Sequence, residues 1–177
     1  MIKPPIIVTG CQRSGTAIVT EILAKKYDIP RLGDRDLRDL DRFNLLYHNN
    51  LKAFIVQMPT ALQCFLELHY SYPDVHFVGV QRDEEQIIAS MKRIQWRMDD
   101  FYHWPDYLHD IVAYMKGQWD LLKRLVPESS WTEVEYDSFK DDPLFIEKEL
   151  RKDFTVNQTQ LAKPIGPVSW RKNDKNV

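Results

Sequence analysis

The chain has 177 residues, so we expect a single domain (1–177) with its own hydrophobic core. Hydrophobic residues make up 44% of the chain and charged residues 28%, a composition typical of a folded protein. The formal net charge is -2, which excludes a globally basic surface for nucleic acid or acidic membrane. No apolar run approaches the roughly 18 residues of a membrane span, and two cysteines exclude a disulfide framework. We therefore predict a cytoplasmic protein with neither nucleic acid nor membrane as partner.

Strands and helices alternate along the chain. The β-branched run Ile6–Thr9 predicts a buried strand, and apolar residues at helical spacing predict a helix from about Thr16 to Tyr27. The further predicted elements are a strand over Ala53–Gln57, a helix over 62–72, a strand over Val75–Gln81, a helix over 84–94, a long helix over 106–126, a strand over Trp131–Glu135, and a helix that Asp142-Pro143 begins. This order predicts an α/β fold with three layers and a central, mainly parallel sheet. Ligands of such sheets bind beyond the carboxyl ends of the strands.

The turn between the first strand and the first helix has the sequence Gly10-Cys11-Gln12-Arg13-Ser14-Gly15-Thr16-Ala17. Its two glycines have the spacing of a Walker A loop, in which backbone N–H groups at the start of a helix hold phosphate. A kinase needs a lysine where this chain has Thr16, and a Mg²⁺-binding hydroxyl where it has Ala17. Arg13 supplies a cation inside the loop instead. The pattern therefore predicts a phosphate-binding loop for a ligand that binds without Mg²⁺.

Two other interpretations of this turn can be compared. A phosphatase loop needs its arginine six positions after the cysteine, where Ala17 stands, so Cys11 does not indicate a phosphatase. An ordinary glycine-containing turn with a solvated Arg13 remains an alternative for the turn taken alone.

A second anion-binding residue is predicted at the end of the strand over Val75–Gln81. Arg82 follows this strand directly, and a guanidinium suits phosphate because it donates two parallel hydrogen bonds. Ser90 lies about two turns into the next helix, within reach of the same anion. Taken alone, these residues favour a surface ion pair from Arg82 to Glu84 or Glu85 and a solvated Ser90.

The two loops in this order resemble the 3′-phosphoadenosine-5′-phosphosulfate (PAPS)-dependent sulfotransferases. Gln12–Thr16 is similar to the family's 5′-phosphosulfate loop, and Arg82 to Ser90 is similar to its 3′-phosphate motif. The resemblance continues in Phe54–Pro59, Tyr72–Val78, Val134–Phe139, Asp142-Pro143 and the basic Trp170-Arg171-Lys172. It implies a P-loop NTPase-like sulfotransferase fold, with 164–177 as a flexible tail that closes over the nucleotide.

The resemblance implies transfer of a sulfuryl group from PAPS to a hydroxyl or amine of a small-molecule or glycan acceptor, without a metal. The product would be adenosine 3′,5′-bisphosphate (PAP). The residues that it implies for nucleotide binding are Gln12, Arg13, Ser14, Gly15, Thr16, Ala17, Arg82, Ser90, Arg171 and Lys172. Arg13, Thr16 and backbone N–H groups would stabilise charge on the leaving phosphate, while Arg82 and Ser90 would select PAPS over ATP.

The chain departs from the family's pattern at the end of the second predicted strand. A lysine that commonly assists the leaving group is replaced by Gln57, which donates a hydrogen bond but brings no charge. Another cation could substitute for it. A histidine that serves some relatives as a base is also absent, because Met58 follows Gln57. These departures leave open a non-catalytic module that binds PAP or PAPS.

The general base is therefore unassigned. Other relatives use a carboxylate after the first helix, and Asp34 is its nearest counterpart in this chain. Asp34 is better explained as one of many charges in the Arg/Asp-rich segment 31–50, and Asp36 and His103 are further candidates. The remaining histidines lack metal-ligand spacing, so we predict no metal site.

A degenerate P-loop small-molecule kinase is a second candidate function, favoured by the glycine spacing and opposed by Thr16 and Ala17. Tyr102, Trp104 and Tyr107 would line an acceptor pocket or pack on the long helix. A chain of 177 residues leaves little for acceptor-binding additions, so this pocket is expected to be open, shared in a homo-oligomer, or made by 99–110.

Overall fold

The computed structural model describes residues 5–32, 47, 53–94 and 107–145. The strands form one sheet in the order β2-β3-β1-β4-β5, with β1 at Ile6–Gly10, β2 at Arg31–Leu32, β3 at Ile55–Gln57, β4 at His76–Gln81 and β5 at Trp131–Glu135. Every strand pairing among these residues is parallel, which confirms the predicted α/β class and parallel sheet. The sequence does not indicate β2, because two residues are too short to show a strand pattern.

Four α-helices are described over their whole length: α1 at Thr16–Tyr27, α2 at Phe65–Ser71, α3 at Glu84–Arg93 and α4 at Leu108–Leu125. Short 3-10 helices lie at Pro59–Gln63, Glu128–Ser130 and Tyr136–Phe139, so the helix predicted over 62–72 is a 3-10 turn followed by α2. A further helical turn begins at Pro143, and Asp142 Oδ1 caps it by accepting from the Leu144 N–H at 2.9 Å. None of the helices in these ranges has both the length and the hydrophobicity needed to span a bilayer.

Alternate side chains of the strands point to opposite faces of the sheet, and helices cover each face. Ile7, Val56 and Phe77 pack against α2, α3 and α4 on one face of the sheet. On the other face, Ile6, Val8, Ile55 and Val78 pack against α1. The described residues therefore form the predicted three layers.

Close approach of α4 to the sheet depends on Gly79 in β4. A Cβ at this position would overlap the indole ring of Trp119 in α4. The indole Nε1 donates to Glu133 Oε2 on β5 at 2.6 Å, and Lys123 Nζ lies 3.1 Å from the same carboxylate oxygen. These contacts fix α4 against β4 and β5.

The central position of β1 determines where a ligand can bind. β1 pairs with β3 on one side and with β4 on the other. The strand order therefore reverses at β1, with β2 and β3 on one side and β4 and β5 on the other. Because all pairings are parallel, the carboxyl ends of β1, β3, β4 and β5 lie at one edge of the sheet. This edge is the ligand-binding edge of open α/β sheets.

His76 lies buried at the start of β4, away from that edge. Its Nε2 lies 2.8 Å from Thr132 Oγ1 on β5. Burial lowers the pKa of the imidazole below its ordinary value of 6.5, so the ring is neutral in the folded protein at neutral pH. Between the lowered pKa and 6.5 the unfolded chain binds more protons than the folded chain, so the free energy of unfolding falls with decreasing pH in that window.

We therefore expect the free energy of unfolding to decrease from pH 7 towards pH 5, by at most about 1.4 kcal/mol per pH unit for one proton. Urea unfolding at constant ionic strength measures it. His76→Gln, which does not titrate, should weaken this dependence. An unchanged pH dependence in His76→Gln would contradict the expectation.

Candidate anion-binding site

The turn after β1 forms a compact loop at the ligand-binding edge. Arg13 and Gly15 have positive φ angles of 70° and 100°, and the Ser14 N–H donates to the Cys11 carbonyl at 3.0 Å. The Gly15 carbonyl accepts from the N–H groups of Ile18 and Val19, both at 3.1 Å. The first N–H groups of α1 precede these bonds and have no carbonyl within the helix to bind. They are therefore suited to an anion at the positive end of the helix dipole.

Gly15 is required at its position for two reasons. Its φ of 100° is unfavourable for residues with a Cβ, and a Cβ there would overlap the ring of Tyr136. Tyr136 directly follows β5, is 2% exposed and packs against Phe145 with ring centroids 4.9 Å apart. The turn after β5 thus supports the loop after β1.

Arg82 joins the two predicted anion-binding motifs. Its Nη1 donates to the backbone carbonyl of Arg13 at 3.2 Å, and its Nε donates to Gln86 Oε1 at 3.1 Å. The guanidinium carbon lies 4.2 Å from the centroid of the Tyr136 ring, which is a cation–π contact. Arg82 is therefore held directly on the loop.

The surface ion pair considered for Arg82 is not formed. Glu84 instead contacts His109 Nδ1 at 3.2 Å and Lys116 Nζ at 3.6 Å. Within the described ranges, Arg82 has no carboxylate within ion-pair distance. Its positive charge is thus placed at the loop without a neutralising acid from these residues.

Ser90 is buried in α3 and not solvated. It is 7% exposed, and its Oγ accepts from Arg13 Nε at 3.3 Å. The structure thus brings Arg82 and Ser90 into contact with Arg13, although 77 residues separate Arg13 from Ser90.

Thr16 and Gln57 form a second polar group on the β3 side of the loop. Gln57 Nε2 donates to Thr16 Oγ1 at 3.3 Å, and Gln57 Oε1 lies 3.5 Å from Nη2 of Arg31. Nη1 of Arg31 lies 3.3 Å from Glu21 Oε2. The Gln57 amide therefore lies between the Thr16 hydroxyl and the Arg31 guanidinium.

The other residues predicted to bind a nucleotide take different positions. The Ser14 side chain is fully buried, and its Oγ has no hydrogen-bond partner among the described residues. Its N–H is already bonded within the loop, so Ser14 supports the loop from inside. Gln12 in the loop and Ala17 in the first turn of α1 are half-buried.

Several predicted residues lie outside the described residues: Asp34, Asp36, Tyr102, His103, Trp104, Arg171 and Lys172. Their proposed roles remain predictions. Tyr107, which precedes α4, is described and is 55% exposed. No group of three or more His, Cys, Asp or Glu side chains in the described ranges is arranged to hold a metal ion.

Sequence reasoning did not identify Tyr136 and Arg31 as parts of the site. Tyr136 could have been found, because it directly follows a predicted strand at the ligand-binding edge. Arg31 carries no such signal, because β2 has two residues and its charge resembles the others in 31–50.

Cys11 lies in the loop but points into the core. It is 5% exposed, and burial raises the pKa of its thiol from 9.0 to about 12. A protonated thiol is a poor nucleophile, which agrees with setting a phosphatase loop aside.

Cys11 should therefore resist alkylation. In a Cys64→Ser variant, Cys11 is the remaining cysteine. We expect iodoacetamide at pH 8 to label Cys11 at least about 100-fold more slowly in the folded protein than in the urea-unfolded protein. Mass spectrometry measures the rates. Fast labelling of folded Cys11 would contradict its burial and raised pKa.

Replacement of Gly15 by Ala should destabilise the protein by about 1–3 kcal/mol, because of its positive φ and the overlap of a Cβ with the Tyr136 ring. The matched control is Gly117→Ala in α4, where a Cβ meets nothing within 4 Å. This change should stabilise the helix by about 0.5–1 kcal/mol. Urea unfolding compares the variants, and equal effects would refute the role assigned to Gly15.

No protein-family model and no curated protein matches the chain. Solved structures resemble it at low identity. A sulfotransferase domain from the curacin biosynthetic pathway is 12% identical with a TM-score of 0.58, over 93% of this chain and 76% of that one. A sulfotransferase from Mycobacterium tuberculosis is 16% identical with a TM-score of 0.55, and the match covers 89% of this chain and 70% of that one. A shikimate kinase from Acinetobacter baumannii, in complex with shikimate, is 13% identical with a TM-score of 0.52, and the match covers 90% of this chain and 96% of that one. The chain therefore has the P-loop-type α/β fold that sulfotransferases and kinases share.

Proposed function

We propose that this protein transfers a sulfuryl group from PAPS to a hydroxyl or amine of a small-molecule or glycan acceptor. The observation that carries the proposal is the contact of Arg82 and Ser90 with Arg13 in the loop after β1. A ligand with two separate anionic groups, such as a 5′-phosphosulfate and a 3′-phosphate, fits two neighbouring cationic side chains. ATP carries its phosphates in one linear chain and has no 3′-phosphate, so it does not need a second cationic side chain for a separate anionic group.

The residues present fit such a donor. Arg13, the Thr16 hydroxyl and the first N–H groups of α1 would bind the 5′-phosphosulfate, and Arg82 and Ser90 would bind the 3′-phosphate. Because the Ser14 N–H is already bonded to the Cys11 carbonyl, the role of Ser14 would be to support the loop. Both groups of residues lie at the carboxyl edge of the sheet, where ligands of such sheets bind.

PAPS supplies a sulfuryl group, whose bond to the bridging phosphate oxygen breaks as the acceptor oxygen or nitrogen bonds to sulfur. The electron pair of the broken bond stays on that phosphate oxygen. Arg13 and the N–H groups at the start of α1 would stabilise this added charge, and Thr16 would donate one more hydrogen bond. The acceptor proton passes to a general base, for which Asp34 remains the proposed residue.

A kinase is the second candidate, because the shikimate kinase from Acinetobacter baumannii has the same fold. The chain's own residues oppose it. Thr16 replaces the Walker lysine and Ala17 replaces the Mg²⁺-binding hydroxyl, so the loop lacks both groups that manage Mg²⁺-ATP. We therefore place sulfuryl transfer first.

Calorimetry with adenosine 3′,5′-bisphosphate in the absence of Mg²⁺ tests the proposal. We expect binding that Arg82→Met weakens about 10- to 100-fold, because a hydrogen bond to a charged group contributes about 1.5–3 kcal/mol. Adenosine 5′-phosphate, which lacks the 3′-phosphate, should bind more weakly and respond less to the substitution.

The matched control is Arg124→Met, which removes an exposed arginine from the last turn of α4 and should leave binding unchanged. No binding at millimolar bisphosphate, or tighter Mg²⁺-dependent binding of ATP, would overturn the proposal. Turnover of PAPS with a panel of phenols, sugars and amines separates an enzyme from a module that only binds the nucleotide.

A further inference from the structure

We infer that Arg31 is a positioning residue of this site, which orients the Gln57 amide and through it the Thr16 hydroxyl. The inference rests on the proposed function for the nature of the bound anion. The contacts that carry it lie on the β3 side of the loop, away from Arg82 and Ser90.

Arg31 begins the edge strand β2, beside β3. Its guanidinium contacts two oxygens through different nitrogens, Glu21 Oε2 at 3.3 Å and Gln57 Oε1 at 3.5 Å. The Glu21 contact holds the guanidinium in place from α1. A planar fork can make both contacts at once, whereas a lysine ammonium is a single point charge.

The guanidinium determines which end of the Gln57 amide faces Thr16. Because Arg31 has only donors, the amide oxygen is the end that it attracts. Nε2 of Gln57 then faces Thr16 Oγ1 and donates to it at 3.3 Å. In the reverse orientation the amide NH₂ would meet the guanidinium, placing two donors together.

The amide orientation in turn determines the direction of the Thr16 proton. When Oγ1 accepts from Gln57, the hydroxyl proton points elsewhere and can be donated to an anion in the loop. In a reversed amide, the oxygen would take that proton, and Thr16 would present lone pairs to the anion. Arg31 thus decides whether Thr16 attracts or repels the ligand.

This arrangement also accounts for the glutamine at the end of β3. The positive charge that a lysine would bring there lies one strand further away, on Arg31. A lysine at position 57 would meet the guanidinium as a like charge, whereas glutamine accepts from it and still donates towards the loop. A single lysine would supply both the positive charge and the hydrogen-bond donor, whereas here Arg31 supplies the charge and Gln57 supplies the donor.

A double-mutant cycle tests the inference, with adenosine 3′,5′-bisphosphate binding measured by calorimetry. We expect Arg31→Met and Gln57→Leu each to weaken binding about three- to tenfold, the size of one hydrogen bond. In the Gln57→Leu background, Arg31→Met should have no further effect, because its route to the ligand is already broken. Equal effects of Arg31→Met in both backgrounds would show direct action on the ligand and overturn the inference.

A conservative and a remote substitution complete the set. Arg31→Lys should restore part of the binding, since it keeps the charge but loses the fork. Arg124→Met should leave binding unchanged. Thermal unfolding of each variant identifies effects that come only from loss of structure.

A second measurement does not depend on any ligand. The side-chain NH₂ resonances of Gln57, assigned by their loss in Gln57→Leu, should shift in the free protein on Arg31→Met and stay in place on Arg124→Met. If the wild-type protein binds no bisphosphate, the proposed function fails while this measurement still tests the role of Arg31. Unshifted Gln57 resonances in Arg31→Met would overturn that role.

Discussion

The contact between Arg82 and the Arg13 carbonyl is the constraint on which the site depends. Arg13 has a φ of 70°, a backbone conformation that costs a non-glycine residue of order 1–3 kcal/mol. Arg82 bonds to the carbonyl of that strained residue, while Ser90 accepts from its side chain. Backbone and side chain of Arg13 are thus both held by the β4–α3 segment. A loop held in this way can present cations to an anion without reorganising.

The parallel sheet makes this constraint possible. Because β1 lies between β3 and β4, the loop after β1 receives Gln57 from one neighbour and Arg82 from the other. Tyr136 reaches the same loop from the end of β5, where it occupies the space that the missing Cβ of Gly15 leaves. The site thus has a cationic side towards β4 and a hydrogen-bonding side towards β3. Arg31, on the edge strand, adds a charge behind the hydrogen-bonding side.

Patterns that repeat along the chain predicted most of the fold. The β-branched run of β1 and the long apolar stripe of α4 identify their elements, because burial on a defined face requires that spacing. The single predicted helix over 62–72 is divided at Cys64, since Pro59 begins a separate 3-10 turn and the apolar pattern does not record the change of hydrogen bonding. The two residues of β2 are too few for any pattern. Its place in the sheet depends on pairing with β3, which is not a local property.

The sequence by itself determined the kind of loop after β1, the absence of the Walker lysine and Mg²⁺-binding hydroxyl, and the placing of Arg82 after a strand. These features can be recognised in the sequence because a tight turn between a strand and a helix requires particular residue types at fixed, short spacings. Only the tertiary structure decided the partners of each side chain. Arg82 binds a carbonyl 69 residues away and not the acids beside it, and Gln57 lies between Arg31 and Thr16, 26 and 41 residues away. A local pattern holds no information about such partners, because the order of strands in the sheet brings them together.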